Sequence, residues 1–265
     1  MATVKEIYDF LDRKAPFALQ YDFDNSGLLV GRQGMEVGRL LVALDITRAV
    51  AREAREAGAQ LIVSHHPVIF HPAKSITDRD PGGLLLLELC EGGIAAVCAH
   101  TNLDKVQGGV NDALALAVGL TQMEQLAPEG TDANGNPYGL GRVGMLARPC
   151  RLEDYAGRVK AALGANGVRY ASGGRPVSRV AVVGGAGGDM LHQALQKGCD
   201  TLVTADAKYN AFLDAAALGL NLIDAGHYPT EQVVCPVLAG WLREGFPGVE
   251  VAVSRSHGRE PLDYL

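Results

Sequence analysis

Short apolar runs alternate with amphipathic stretches along almost the whole chain. Leu40-Leu41-Val42-Ala43, Leu61-Ile62-Val63, Ala95-Ala96-Val97-Cys98, Val180-Ala181-Val182-Val183, Leu202-Val203 and Leu222-Ile223 are continuously apolar rather than alternating. Runs of that kind predict strands buried on both faces, as a parallel sheet requires. Between them, residues 47–57, 110–117 and 189–197 carry helical spacing. The succession predicts an α/β fold with mainly parallel strands.

The pattern also repeats. Val42 aligns with Val182 and, at the same offset, Leu61 with Thr201 and Ser64 with Thr204. Further on, His100 and Asp104 align with His227 and Glu231. The loop at 67–81, present only in the first half, absorbs the difference in offset. Two related α/β units are therefore expected, over 1–126 and 127–265, with no extra domain inserted between them. The segment 127–141, rich in Gly, Pro, Asn and Asp, reads as the joining linker or turn.

Composition narrows the function. In 265 residues, 48% are hydrophobic and 20% charged, an ordinary balance for a globular protein. A net charge of -6 argues against a dedicated nucleic-acid surface. No apolar run is long enough to span a membrane. The N-terminus turns acidic and amphipathic at once, unlike a signal peptide, so a cytoplasmic location is expected. Five cysteines, odd in number and without a C-x-x-C pair, are expected as buried free thiols.

Candidate chemistry concentrates in three stretches. They are Ser64-His65-His66-Pro67, His100-Thr101-Asn102-Leu103-Asp104 and Gly226-His227-Tyr228-Pro229-Thr230-Glu231. Each follows a predicted strand, and ligands of open parallel sheets collect beyond strand carboxyl ends. Imidazole and carboxylate together suit a divalent transition metal. Six such groups exceed what one open tetrahedral ion takes and suit two. His65 and His66 can act together only if the chain has left the strand, because consecutive strand side chains oppose each other; Pro67 favours that. Pro229 suits the first turn of a helix, with His227 expected just before it. Asp104 is expected in a loop preceding the helix at 110–117.

Other residues carry weaker signals. His192, on a helix, and His257, near the end of the chain, are expected as ordinary surface or core histidines. His71, Asn25, Asp206, Lys208 and Tyr209 are candidates for lining or supporting the site. The stretch Gly184-Gly185-Ala186-Gly187-Gly188 lies between a strand and a helix, where an anion can bind. It matches neither a Walker loop nor G-x-G-x-x-G, and a tight turn needing positive φ is the expected role.

Taken together, these motifs resemble one family over essentially the whole chain. Asp24-Asn25-Ser26-Gly27-Leu28-Leu29-Val30-Gly31, Ser64-His65-His66-Pro67-Val68-Ile69-Phe70, His100 to Asp104, Gly108-Gly109-Val110-Asn111-Asp112, Thr204-Ala205-Asp206-Ala207-Lys208-Tyr209 and Gly226-His227-Tyr228 with Glu231 are similar to the GTP cyclohydrolase 1 type 2 / Nif-three-like proteins. The resemblance implies two intertwined α/β units with a dinuclear metal site in the cleft between them. By motif its ligands are His65, His66, His100, Asp104, His227 and Glu231. It also implies a toroidal homohexamer. The chain departs from the family pattern at Ala205, often Gly, and at Asn210, often His, which removes a candidate proton shuttle.

Two functions follow as expectations. One is a metal-dependent hydrolase of a nucleotide or related phosphorylated substrate, with a metal-bridging water as nucleophile and no protein residue assigned to catalysis. The other is a non-catalytic metal chaperone, store or regulator. Nitrogen and oxygen ligands admit zinc, iron, manganese, cobalt or nickel.

Overall fold

A computed structural model describes residues 1–258 and 260–265. The chain forms two compact units: Met1–Leu103 with Cys235–Gly258, and Asp104–Val234 with Arg259–Leu265. The division thus falls at 103/104 and 234/235 rather than at 126/127, and a late segment returns to the first unit. Asp104 consequently belongs to the second unit.

In the first unit five strands lie in the order Glu250–Val253, Arg39–Ala43, Leu61–Ser64, Ala95–Cys98, Gly27–Val30. The first four run parallel; Gly27–Val30 closes the edge antiparallel. Leu61–Ser64 and Ala95–Cys98 are buried at every position, the outcome their unbroken apolar runs predict. Helices Arg48–Glu56 and Pro81–Glu91 cover one face, where Val50, Ala54, Leu86 and Leu89 pack on Leu41, Ile62 and Ala96. Thr47 and Asp80 start these helices by accepting the amides of Val50 and Gly83, which satisfies donors a helix cannot pair internally.

The second unit holds six strands in the order Thr121–Thr131, Pro137–Cys150, Val177–Ala186, Thr201–Ala205, Asn221–Asp224, Arg169–Ala171. Its central trio is parallel. Val180, Val182, Val203 and Ile223 serve one core, Ala181, Val183, Leu202 and Leu222 another. That alternation is the signature of a sheet buried on both faces.

The repeat is visible in the strand register. Leu40 pairs with Leu61 and Val42 with Val63; their counterparts Val180 and Val182 pair with Thr201 and Val203. Each trio also carries an antiparallel strand beside its third member.

One expectation fails. Segment 127–141 is not a linker but lies mostly within a long antiparallel hairpin of Thr121–Thr131 with Pro137–Cys150. Its turn residues matter only at the tip, where Asp132 accepts the amides of Asn134 and Asn136. Gly139 is required within a strand because a Cβ there would lie 2.2 Å from the Ala127 carbonyl oxygen.

Candidate metal centre

The strand Leu61–Ser64 ends at Ser64, so His65 and His66 lie beyond it and need not point to opposite faces. Ser64 Oγ donates to the His66 carbonyl at 2.8 Å, tightening the turn. His100 follows Ala95–Cys98 in the same way. In the first unit, these three histidines bring ligand nitrogens within 4.8 Å of one another. Their ring centroids are 5.0, 5.1 and 5.4 Å apart.

Each ring is held by its Nδ1. His65 Nδ1 lies 2.8 Å from the Ala99 carbonyl oxygen, which can only accept, so the proton sits on Nδ1. His66 Nδ1 lies 2.8 Å from Asp45 Oδ1, and His100 Nδ1 lies 2.7 Å from Asp24 Oδ1. Both carboxyls are ionised acceptors. Burial alone would raise the Asp24 carboxyl, but bonds from His100 and Thr101 outweigh it and hold it well below the usual carboxylate range. Burial works likewise against Asp45, and bonds from His257 and His66 hold it equally low. With Nδ1 donating, Nε2 is the basic nitrogen of each ring. A metal-ligating histidine needs this arrangement, in which the outer acceptor fixes tautomer and orientation.

Asp24 is fully buried at its side chain. One oxygen takes His100, while the other accepts Thr101 N at 3.0 Å, Thr101 Oγ1 at 2.5 Å and Ser26 Oγ at 3.1 Å. A carboxyl whose folded pKa is depressed contributes stability that is present above its unfolded pKa and lost as pH falls below it. The contribution of the Asp24 carboxylate, read as the stability difference between wild type and Asp24→Asn from urea melts in chelator, is thus lost as pH falls below about 4. A difference that grew as pH fell below about 4 would contradict this role.

In the second unit His227 and Glu231 are the first and last residues of a short helix, His227–Glu231. His227 therefore lies within the helix rather than before it, and the four-residue spacing becomes a one-turn pair. Its Nε2 is 2.9 Å from Glu231 Oε2, and its Nδ1 is 2.7 Å from Asp206 Oδ2. The outer-carboxylate arrangement of His66 and His100 is thus repeated. Asp104 also sits in a helix, Thr101–Lys105, rather than the expected loop. Its carboxylate and that of Glu231 present oxygens within 4.8 Å of each other, and both residues are buried. Two carboxylates so close repel strongly unless a cation or proton intervenes.

The glycine stretch packs against Glu231, and three of its amides are already taken. Gly184 N donates to Asn111 Oδ1, Gly185 N to Thr230 Oγ1 and Gly187 N to Thr204 Oγ1. Those amides are engaged by side chains. Gly185 has φ 62°, and a Cβ there would lie 2.2 Å from Glu231 Oε1. Gly185→Ala should therefore displace Glu231 and destabilise the fold by about 1–3 kcal/mol. Thermal unfolding checks the stability, and a chelator-competition titration should show weaker metal binding; an unchanged protein would contradict the close fit.

The remaining candidates fall elsewhere. Asn25 Nδ2 donates to the Ile69 carbonyl while its own carbonyl accepts the Cys98 thiol, so it ties loops together. His71 is exposed and meets Phe70 edge-on at 4.8 Å. Lys208 precedes the helix Tyr209–Leu218, and Tyr209 is 74% exposed. Burial pushes the Cys98 thiol up to about 12, which makes it a neutral donor and not a thiolate ligand. The cysteines are free as expected, though Cys90 is exposed and Cys150 half-buried.

His257 is not an ordinary surface histidine: its Nε2 lies 2.7 Å from Asp45 Oδ2, opposite His66. Asp45 and Asp24 carried no signal of their own in spacing, although Asp24 opens a recognisable motif. Among the described residues no helix is long and apolar enough to cross a membrane.

Comparison with known proteins agrees over the same span. A Clostridium perfringens protein named GTP cyclohydrolase 1 type 2 homolog is 31% identical over 264 residues, covering 99% of each chain. The Helicobacter pylori J99 protein named GTP cyclohydrolase 1 type 2 is 32% identical, covering 90% of this chain and 91% of its own. Among solved structures, a Bacillus cereus protein related to NIF3 superposes with a TM-score of 0.94 at 26% identity, over 100% of this chain and 99% of that one. A Staphylococcus aureus hypothetical protein does so at 0.93 and 30% identity, over 99% of both. The fold is thus shared with these solved structures over nearly the whole chain. With its family profile matched across residues 2–259, the chain belongs to the Duf34/NIF3 (NGG1p interacting factor 3) family.

Proposed function

We propose that the chain holds two divalent metal ions as a dinuclear centre and hydrolyses a nucleotide or related phosphorylated substrate. The observation that carries this reading is a shared ring orientation. Four histidines turn Nδ1 to an outer acceptor, as His65 does to Ala99, His66 to Asp45, His100 to Asp24 and His227 to Asp206. Surface histidines have no reason to agree in this. His65, His66 and His100 supply three nitrogens, while Asp104, His227 and Glu231 add one nitrogen and two carboxylates. That donor set, without thiolate, suits zinc, iron, manganese, cobalt or nickel.

Two such ions, when bound, would supply Lewis acidity and acidify water for attack near neutral pH. The chain's own part is to fix imidazole orientation through Asp24, Asp45 and Asp206 and to keep Asp104 and Glu231 shielded from bulk water. The name GTP cyclohydrolase 1 type 2 borne by the Helicobacter pylori relative supports GTP as the first substrate to try.

Product analysis tests the reading. Metal-loaded protein incubated with GTP is expected to release formate if the guanine ring is opened, or phosphate if an ester or anhydride is cleaved. Release of neither, across nucleotides and simple phosphoesters, would sink hydrolysis and leave a metal store or carrier.

A further inference from the structure

The second unit opens a cavity of about 440 Å³ whose lining includes Gly188, Asp189, His192, Asp206, Lys208 and Asp214. Its position matters because of Asp206. The same residue that lines the cavity holds His227 Nδ1 at 2.7 Å, so any occupant lies against a carboxylate that orients a candidate ligand. Asp206 also has φ 50°, one of two non-glycine residues with positive φ among those described. A backbone in that region is retained where surrounding structure over-determines it, commonly at functional sites.

The lining has a definite chemical preference. Asp189, Asp206 and Asp214 share the lining with one lysine, Lys208, and with His192. Three carboxylates against one ammonium repel a polyphosphate and ask instead for N–H donors, with an acceptor for the lysine. In the neighbouring glycine stretch the amides of Gly184, Gly185 and Gly187 already serve Asn111, Thr230 and Thr204. The volume falls within the range of small-molecule sites. Guanine matches the mixture: its N1–H and 2-amino group form an adjacent donor pair for a carboxylate, while O6 and N7 accept from a lysine. Adenine offers only one donor on that edge, beside an acceptor.

We propose that this cavity receives the base of the nucleotide, a 2-amino-substituted purine read by Asp189, Asp214 and Lys208, with the phosphates outside it. The proposal rests on the nucleotide reading above and adds which end of the substrate sits where.

Calorimetric titration of the metal-loaded full chain with guanosine, adenosine and inorganic tripolyphosphate tests it. Guanosine is expected to bind, adenosine about tenfold or more weaker, and tripolyphosphate should not displace guanosine. The Asp189→Asn, Asp214→Asn double variant should lose about tenfold or more in guanosine affinity. These are exposed positions, and circular dichroism confirms that the variant is folded. Absence of guanosine binding, its displacement by tripolyphosphate, or wild-type affinity in the variant overturns the proposal. The two readings fail separately. Selective guanosine binding without turnover of any nucleotide leaves the base site standing and removes hydrolysis. Turnover of GTP with an unchanged KM in the double variant removes the base site and leaves hydrolysis.

Discussion

Replacing His65 and Glu231 together with alanine is expected to abolish tight binding of transition metal and, with it, any hydrolytic turnover. The pair takes one candidate donor from each unit. His65 is wholly buried and Glu231 nearly so, so neither has a solvent role to confuse the outcome. Removing one ligand from a site of three leaves too few donors for tight binding. Loss of an acceptor that orients a ligating imidazole typically costs roughly 10–100-fold in affinity, and loss of direct donors should exceed that. The His65 side chain also packs among His66 and His100, so folding must be checked separately. His65→Gln with Glu231→Gln keeps volume and polarity while removing imidazole and charge, and it should fold and still fail to retain metal. A double variant that kept full metal occupancy would contradict the ligand assignment.

The clustering of the candidate donors is legible because chemistry and topology are both periodic in this chain. Unbroken apolar runs marked strands buried on both faces, and the histidines stood just beyond their ends. The internal repeat links His100…Asp104 to His227…Glu231 in the sequence itself. What spacing could not convey was the outer ring of acceptors. Asp45 lies twenty-one residues from His66 and Asp24 seventy-six from His100, so only folding brings them together. His257 carries no local signal for the same reason, being two hundred and twelve residues from Asp45. Local readings failed where turn-forming residues were embedded in long strands. In 127–141 the Gly, Pro, Asn and Asp content reflects close backbone approach at Gly139 as well as a real turn at the tip. The placement of Asp104 and His227 inside short helices was likewise hidden, since five-residue helices give too little periodicity to detect.

The second large effect concerns that outer ring. Asp45→Asn is expected to weaken metal binding by about 10–100-fold with little change in fold. Asp45 is shared between two imidazoles, His66 on one oxygen and His257 on the other. The C-terminal segment that delivers His257 is itself clamped by Glu53. Its carboxylate accepts Ser254 Oγ at 2.5 Å and the amides of Arg255 and Ser256 at 3.0 Å. Burial opposes ionisation of Glu53, but the bonds from Ser254, Arg255 and Ser256 prevail and lower its pKa. A graded series follows from this chain of contacts. His257→Ala removes one hydrogen bond from Asp45 and should weaken binding by up to about tenfold, less than Asp45→Asn. His257→Gln, which can still donate to Asp45, should recover most of that loss. Competition with a chromophoric chelator measures all three, and equal affinities across the series would show that Asp45 does not orient His66.

The most direct measurement is metal content. The full chain, reconstituted with zinc, cobalt, manganese, iron or nickel and freed of loosely bound ions by dialysis, is analysed for metal per polypeptide. The account predicts two equivalents for at least one of these metals, falling in the Asp45→Asn protein and lost in the His65, Glu231 double variant. Retention of no metal by the wild-type chain, or an occupancy indifferent to both sets of substitutions, would contradict it.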